Sequence, residues 1–278
     1  MAARTSEGFL HGDIPFLRLG QGPPLVMVQG LSPQHDIPQG WQRRMTLSAV
    51  APLTDDFTVF LVNRRRGLQP GQSMSDIAGH IASAIEHDLG EPVVLHGTST
   101  GGSVALQLAA DRPDLVRRLV VVAAAYKLGP DGRASQAELA RLTRAGDPAA
   151  GWSKVIELTM PESVRLPVRP VARLAARSMA RGDPNDMLIT VDAEDVFDVE
   201  DDLARITAPT LVIGGGKDRF YPREMFEATA DGVQDGWAHI FERWGHLRTA
   251  GSKATTLVTL GFLLAGRRAG VGSVASQK

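Results

Sequence analysis

The chain has 278 residues, of which 43% are hydrophobic and 22% charged, with a net charge of -1 and no cysteine. The missing cysteines exclude disulfides, thiol catalysis and cysteine-ligated metals, and the charge balance gives no reason to expect a nucleic-acid partner or an anionic membrane surface. The length suits a single α/β domain with a large core.

The first eight residues lack the apolar core of a signal peptide, and no apolar run approaches a membrane span, so a cytoplasmic protein is expected. Residues 8–19 read as a hairpin turning near Gly12-Asp13. Short apolar, valine-rich runs follow at 25–28, 57–62, 93–95, 119–122, 211–213 and 238–241. Runs this short, bounded by turns, suit strands buried on both faces. Helical patterns lie between them at 75–89, with Ile77, Ile81 and Ile85 spaced by four, at 102–110, which Asp111-Arg112-Pro113 stops, and at 255–264. This alternation predicts an α/β fold with a mostly parallel sheet covered by helices on both sides.

Residues 126–206 break the rhythm. They hold helical stretches at 135–145 and 171–180 and prolines at 148, 161, 167, 170 and 184, but no strong strand. They are expected to form a helical cap inserted into a core made of 1–125 and 207–266, with 267–278 as a flexible tail. The insertion carries arginines at 165, 169, 173, 177 and 181. Pro167 and Pro170 should keep the first two out of a regular helix, leaving Arg173, Arg177 and Arg181 as one stripe that faces water or forms a basic rim for an anionic substrate group.

The strongest chemical signal is Gly97-Thr98-Ser99-Thr100-Gly101, between an apolar strand and a helix. A serine on that sharp turn takes a strained backbone, and side chains two residues to either side would collide, so glycine belongs at both positions. The turn lifts the Ser99 hydroxyl above the sheet and aims the Thr100 N–H at a developing oxyanion. A serine needs a base, and the base an orienting acid. His246, in a loop after the last strand, is the expected base. His239 lies inside that strand, His80 and His87 lie on polar positions of the helix before the elbow, and His96 is separated from the hydroxyl by the direction of the turn. Asp218, on the glycine-rich loop after 211–213, is the expected acid, with Glu224, Asp231 and Asp235 as fallbacks. The second oxyanion donor is expected from the Leu31 N–H after Gln29-Gly30. Trp41 in the oxyanion loop, Phe220-Tyr221 beside Asp218, and Met160, Met179 and Met187 in the insertion are candidates for lining an apolar substrate pocket.

Taken together, Gln29-Gly30, Arg66-Gly67, the 97–101 elbow, Pro209-Thr210-Leu211-Val212-Ile213 with Asp218, and Gly245-His246 resemble the α/β-hydrolase superfamily, particularly its small bacterial esterase-like and lactonase-like members. The resemblance covers about residues 8–264. It departs at Gln29, where relatives often carry histidine, and at Asn63-Arg64-Arg65-Arg66-Gly67, which lacks the acid of an acidic-x-Arg-Gly pattern. It implies a cofactor-independent serine hydrolase cleaving a carboxylic ester, thioester or lactone through a Ser-His-Asp triad. The alternatives are a lyase or acyltransferase on the same triad, or a non-catalytic small-molecule receptor. The expected partner is a small-molecule acyl substrate, with no cofactor, metal, nucleic acid or membrane, and a homodimer left open.

Overall fold

The computed structural model describes residues 5–160 and 162–272, with 162–169 and 266–272 described by their backbone alone. In chain order the elements are strands β1 (Ser6–Leu10), β2 (Ile14–Gly20) and β3 (Pro24–Val28), helix α1 (Gly40–Val50), β4 (Thr58–Val62), α2 (Met74–Ala84), β5 (Val93–Thr98), α3 (Thr100–Asp111) and β6 (Val116–Val122). Then come α4 (Pro130–Arg144), α5 (Pro148–Thr159), α6 (Glu162–Met179), α7 (Asn185–Asp195), β7 (Thr210–Gly215), α8 (Arg223–Gly232), β8 (Gly236–Phe241), α9 (His246–Gly251) and α10 (Lys253–Gly272).

The strands form one eight-stranded sheet in the order β1-β2-β4-β3-β5-β6-β7-β8. The β1–β2 hairpin and the β2–β4 pair are antiparallel, and every pair from β4 to β8 is parallel. All five residues of β3 and of β4 are buried, as strands covered on both faces require. One core layer joins the sheet to α2, α3 and α8 through Ile77, Ile81, Leu106 and Phe226. The other joins it to α1 and α10 through Leu25, Leu61, Val50 and Leu263. Each fully buried Leu, Ile or Phe in these layers contributes about 1.5–3 kcal/mol.

Local chemistry sets the element ends. Ser73 caps α2 in a reciprocal box with Asp76. The helix then loosens into a π turn over Ile85–Leu89 and stops at Gly90 in the left-handed region, so the expected helix at 75–89 is one pattern with two hydrogen-bonding geometries.

Between β6 and β7 lie helices α4 to α7 and a 3-10 helix at Glu200–Arg205. The Lys127–Asp198 antiparallel bridge closes the base of this segment, backed by the Val199 N–H donating to the Tyr126 carbonyl at 3.0 Å. Beyond the bridge, Leu203 and Ile206 belong to the main core. The helices build a small cluster of their own from Leu139, Ala140, Trp152, Ala176, Met187 and Val191, against which Leu31 and Met179 pack.

Two local expectations are corrected. Helix α6 runs through Pro167 and Pro170, because burial of Ala172 and Ala176 holds it along the insertion despite the N–H groups the prolines lack. The backbone at 165 and 169 is therefore helical, while those side chains lie outside the described residues; Arg173, Arg177 and Arg181 are exposed. Second, α10 continues to Gly272, so 267–272 of the expected tail are helical, and 273–278 lie outside the described residues.

Candidate active site

The turn from β5 into α3 gives Ser99 a backbone of φ 53°, ψ -129°, a conformation that costs about 1–3 kcal/mol for a residue with a side chain. The Ser99 N–H donates to the Val122 carbonyl at 2.9 Å, and the Ser99 carbonyl accepts from the Gly102 N–H at 2.6 Å. Close approach explains both flanking glycines. A Cβ at Gly97 would overlap the Gly101 carbonyl oxygen, and one at Gly101 would overlap the Val28 carbonyl oxygen. The second clash is with the neighbouring strand β3 and not with residue 97, so Gly101 sets how closely the elbow and the β3 loop approach.

His246 opens α9, and Asp218 tops the turn after β7. The two loops are laced by Gly216 N–H to the Phe241 carbonyl at 3.0 Å and Lys217 N–H to the Trp244 carbonyl at 2.9 Å. His246 Nδ1 lies 2.8 Å from Asp218 Oδ2, and His246 Nε2 lies 3.0 Å from Ser99 Oγ. An ionised carboxylate only accepts, so Nδ1 carries the proton, and Nε2 is left to accept from the serine hydroxyl. Asp218 Oδ1 accepts from the Phe220 and Tyr221 N–H groups at 2.8 and 3.3 Å, which fixes the carboxylate. The Phe220 and Tyr221 rings flank the imidazole at 4.6 and 6.1 Å between centroids.

The other predicted residues divide. Gly30 brings the β3 loop against the nucleophile, since a Cβ there would lie 3.3 Å from Ser99 Cβ. The Leu31 N–H next to it donates to no protein acceptor among the described residues. Met179 and Leu31 line a cavity of about 620 Å³ with Gln29 and Ser32. A second cavity, of about 290 Å³, lies behind Gly30 and Thr98 and is lined by His96. Met160 ends α5, half-buried. Trp41 is not in the loop near the oxyanion: it starts α1, a helix buried only at its far end by Val50, and its side chain is 62% exposed. The fallback acids Glu224, Asp231 and Asp235 are all exposed.

Two residues near the site carried no signal of burial in the sequence. Glu194 of α7 is fully buried and accepts from Thr100 Oγ1 at 2.8 Å, Ser103 Oγ at 2.7 Å and Gln136 Nε2 at 2.9 Å. Arg64 is buried under the β3 loop beside His35. A carboxylate on an insertion helix and an arginine inside the fold both read as solvated charges until long-range contacts are known.

A family model described as serine aminopeptidase, S33, matches residues 64–249. A putative carbamate hydrolase from Variovorax paradoxus is 31% identical over 182 residues, 64% of this chain and 68% of that protein. A pimeloyl-[acyl-carrier protein] methyl ester esterase from Neisseria meningitidis is 30% identical over 175 residues, 59% of this chain and 66% of that protein. Among solved structures, the enol-lactonase of Burkholderia xenovorans superposes with a TM-score of 0.75 at 17% identity, over 93% of this chain and all of that one, a likeness of fold.

Proposed function

Because the chain belongs to the S33 serine aminopeptidase family within the α/β-hydrolase superfamily, we propose that it hydrolyses a carboxylic ester, thioester or lactone through an acyl-enzyme on Ser99. The observation that carries this reading is the unbroken chain Ser99 Oγ–His246–Asp218 at 3.0 and 2.8 Å. His246 takes the hydroxyl proton as Ser99 attacks the acyl carbon, and returns it to the leaving oxygen or sulfur. Water, deprotonated by the same imidazole, then cleaves the acyl-enzyme, freeing the acid and restoring Ser99. Asp218 holds the tautomer and stabilises the imidazolium. The Leu31 and Thr100 N–H groups hold the oxyanion, the first without an acceptor among the described residues and the second in the first turn of α3, where amides lack intrahelical partners.

Helices α4–α7 act as a cap on this site. Their contacts support that role: Glu194 bonds the elbow, Gln34 of the β3 loop donates to the Arg181 carbonyl, and Leu31 packs on the insertion's cluster. Met179 and Phe220 line the acyl side. The substrate is a small acyl compound, and the reaction needs no cofactor.

A panel of p-nitrophenyl esters, a thioester and a lactone tests the class. Turnover of at least one, lost on Ser99→Ala, is the expected result. A second reading, cleavage of a carbon–nitrogen acyl bond, has the carbamate hydrolase relative in its favour; activity on carbamates with none on esters would select it.

A further inference from the structure

Arg64 is fully buried, a costly place for a cation unless all its donors are used. They are spent almost entirely on the loop after β3. Nη1 donates to the Gln29 carbonyl at 2.9 Å and Nη2 to the Gly30 carbonyl at 3.1 Å. Nη2 also reaches Ser32 Oγ at 3.3 Å, and Nε donates to His35 Nε2 at 3.1 Å. His35 is neutral, its pKa lowered to about 3 by burial and by Arg64 itself, so Nε2 can accept while Nδ1 donates to the Arg65 carbonyl at 2.8 Å. Burial lowers the Arg64 pKa to about 10, with Glu194 and Asp186 opposing, so the guanidinium stays charged at neutral pH.

The geometry has a consequence for the oxyanion site. The Gly30 carbonyl and the Leu31 N–H belong to one planar trans peptide, in which the two groups point in opposite directions. A guanidinium fixed on the carbonyl side therefore turns the Leu31 N–H away from itself. It also draws electron density toward the carbonyl oxygen, which makes the N–H a stronger donor, an effect of roughly 10–30% per bond in hydrogen-bonded chains. The Gln29–Gly30 peptide is held in the same way by Nη1. A lysine would hold the two carbonyls less firmly, because its donors converge on one nitrogen whereas the planar fork of arginine presents a separate nitrogen to each. Arg64 stands where the acidic-x-Arg-Gly pattern would have its acid, counting back from Arg66-Gly67.

We propose that Arg64 is a positioning residue for the oxyanion hole: its buried guanidinium clamps the Gln29 and Gly30 carbonyls and so orients and polarises the Leu31 N–H. It touches no reacting atom. The inference rests on the acyl-transfer reading, and the test separates the two. Wild type, R64Q, R64K and the surface control R65Q are compared for p-nitrophenyl butyrate hydrolysis, affinity for phenylboronic acid as a tetrahedral adduct of the serine, and near-UV circular dichroism.

Loss of a direct oxyanion donor costs about 10²–10³ in kcat, so loss of its support in R64Q is expected to lower kcat roughly 10- to 100-fold with KM nearly constant. Boronate affinity should fall in step with kcat. R64K, which keeps the charge but not the two-nitrogen fork, should fall between R64Q and wild type, and R65Q should match wild type. A folded R64Q with wild-type kcat, or a loss confined to KM, overturns the inference. Should R64Q not fold, R64K decides, and wild-type kcat and boronate affinity there overturn it equally. Wild-type protein whose Ser99 is never acylated overturns the acyl-transfer reading itself, an outcome visible before any Arg64 variant is made.

Discussion

Thr100, the residue after the elbow serine, donates its hydroxyl to Glu194 at 2.8 Å, so the elbow and helix α7 of the insertion share one buried carboxylate. Ser103 and Gln136 complete its coordination from α3 and α4. Glu194→Ala leaves three buried donors unpaired, each worth about 1–3 kcal/mol when orphaned. A loss of several kcal/mol in urea unfolding is expected. A loss below about 0.5 kcal/mol, the usual size for a surface change, would show that the carboxylate is not a structural tie.

The elbow's tight packing makes a steric prediction. In Gly101→Ala the new methyl meets the Val28 carbonyl oxygen, a backbone atom that cannot rotate away. The β3 loop must move outward, carrying Leu31 from the proposed oxyanion site. Both stability and kcat should fall, the former by about 1–3 kcal/mol, the range for overpacking. Unchanged kcat in a folded Gly101→Ala would mean the loop can shift without consequence.

Acid stability should carry the signature of two buried histidines. Burial lowers the pKa of His96 to about 4, and burial with Arg64 lowers that of His35 to about 3, against about 6.5 unfolded. Between about pH 6.5 and 4 the unfolded chain therefore binds more protons than the native one. Their stabilisation is complete above pH 6.5 and declines as pH falls through that window, by up to about 1.4 kcal/mol per pH unit for each histidine. His96→Leu should flatten the fall of melting temperature between pH 6.5 and 4.5. The same slope in wild type and variant would contradict the assignment.

The proposed cap makes a dynamic prediction. Its helix α7 is anchored in the main core by Ile189 and Ala193, whereas α4 and α6 rest largely on the insertion's own small cluster, so those two should open more readily than the sheet. With a covalent inhibitor on Ser99, hydrogen exchange should slow within α4–α7. Protection confined to the sheet loops would argue against a cap over the serine.

The parallel strands were legible because β3 and β4 are buried on both faces and read as unbroken apolar runs. The elbow was legible because its glycines, serine and flanking strand and helix all lie within a few residues of one another. His246 and Asp218 followed from their places after strands. What stayed hidden depends on contacts across the chain. Arg64 reaches back some 35 residues to the β3 loop, and Glu194 reaches 94 residues to Thr100. Nothing local marks either as buried. The prolines of α6 misled for a related reason, since packing against α5 outweighs their local preference.

The central claim is that Ser99 is the nucleophile, and the most direct measurement is intact-mass analysis with peptide mapping after treatment with a fluorophosphonate. One adduct per chain is expected, on the peptide carrying Ser99, with none on Ser99→Ala and slow labelling on His246→Ala. An adduct that maps elsewhere, or one that persists undiminished in Ser99→Ala, would contradict it.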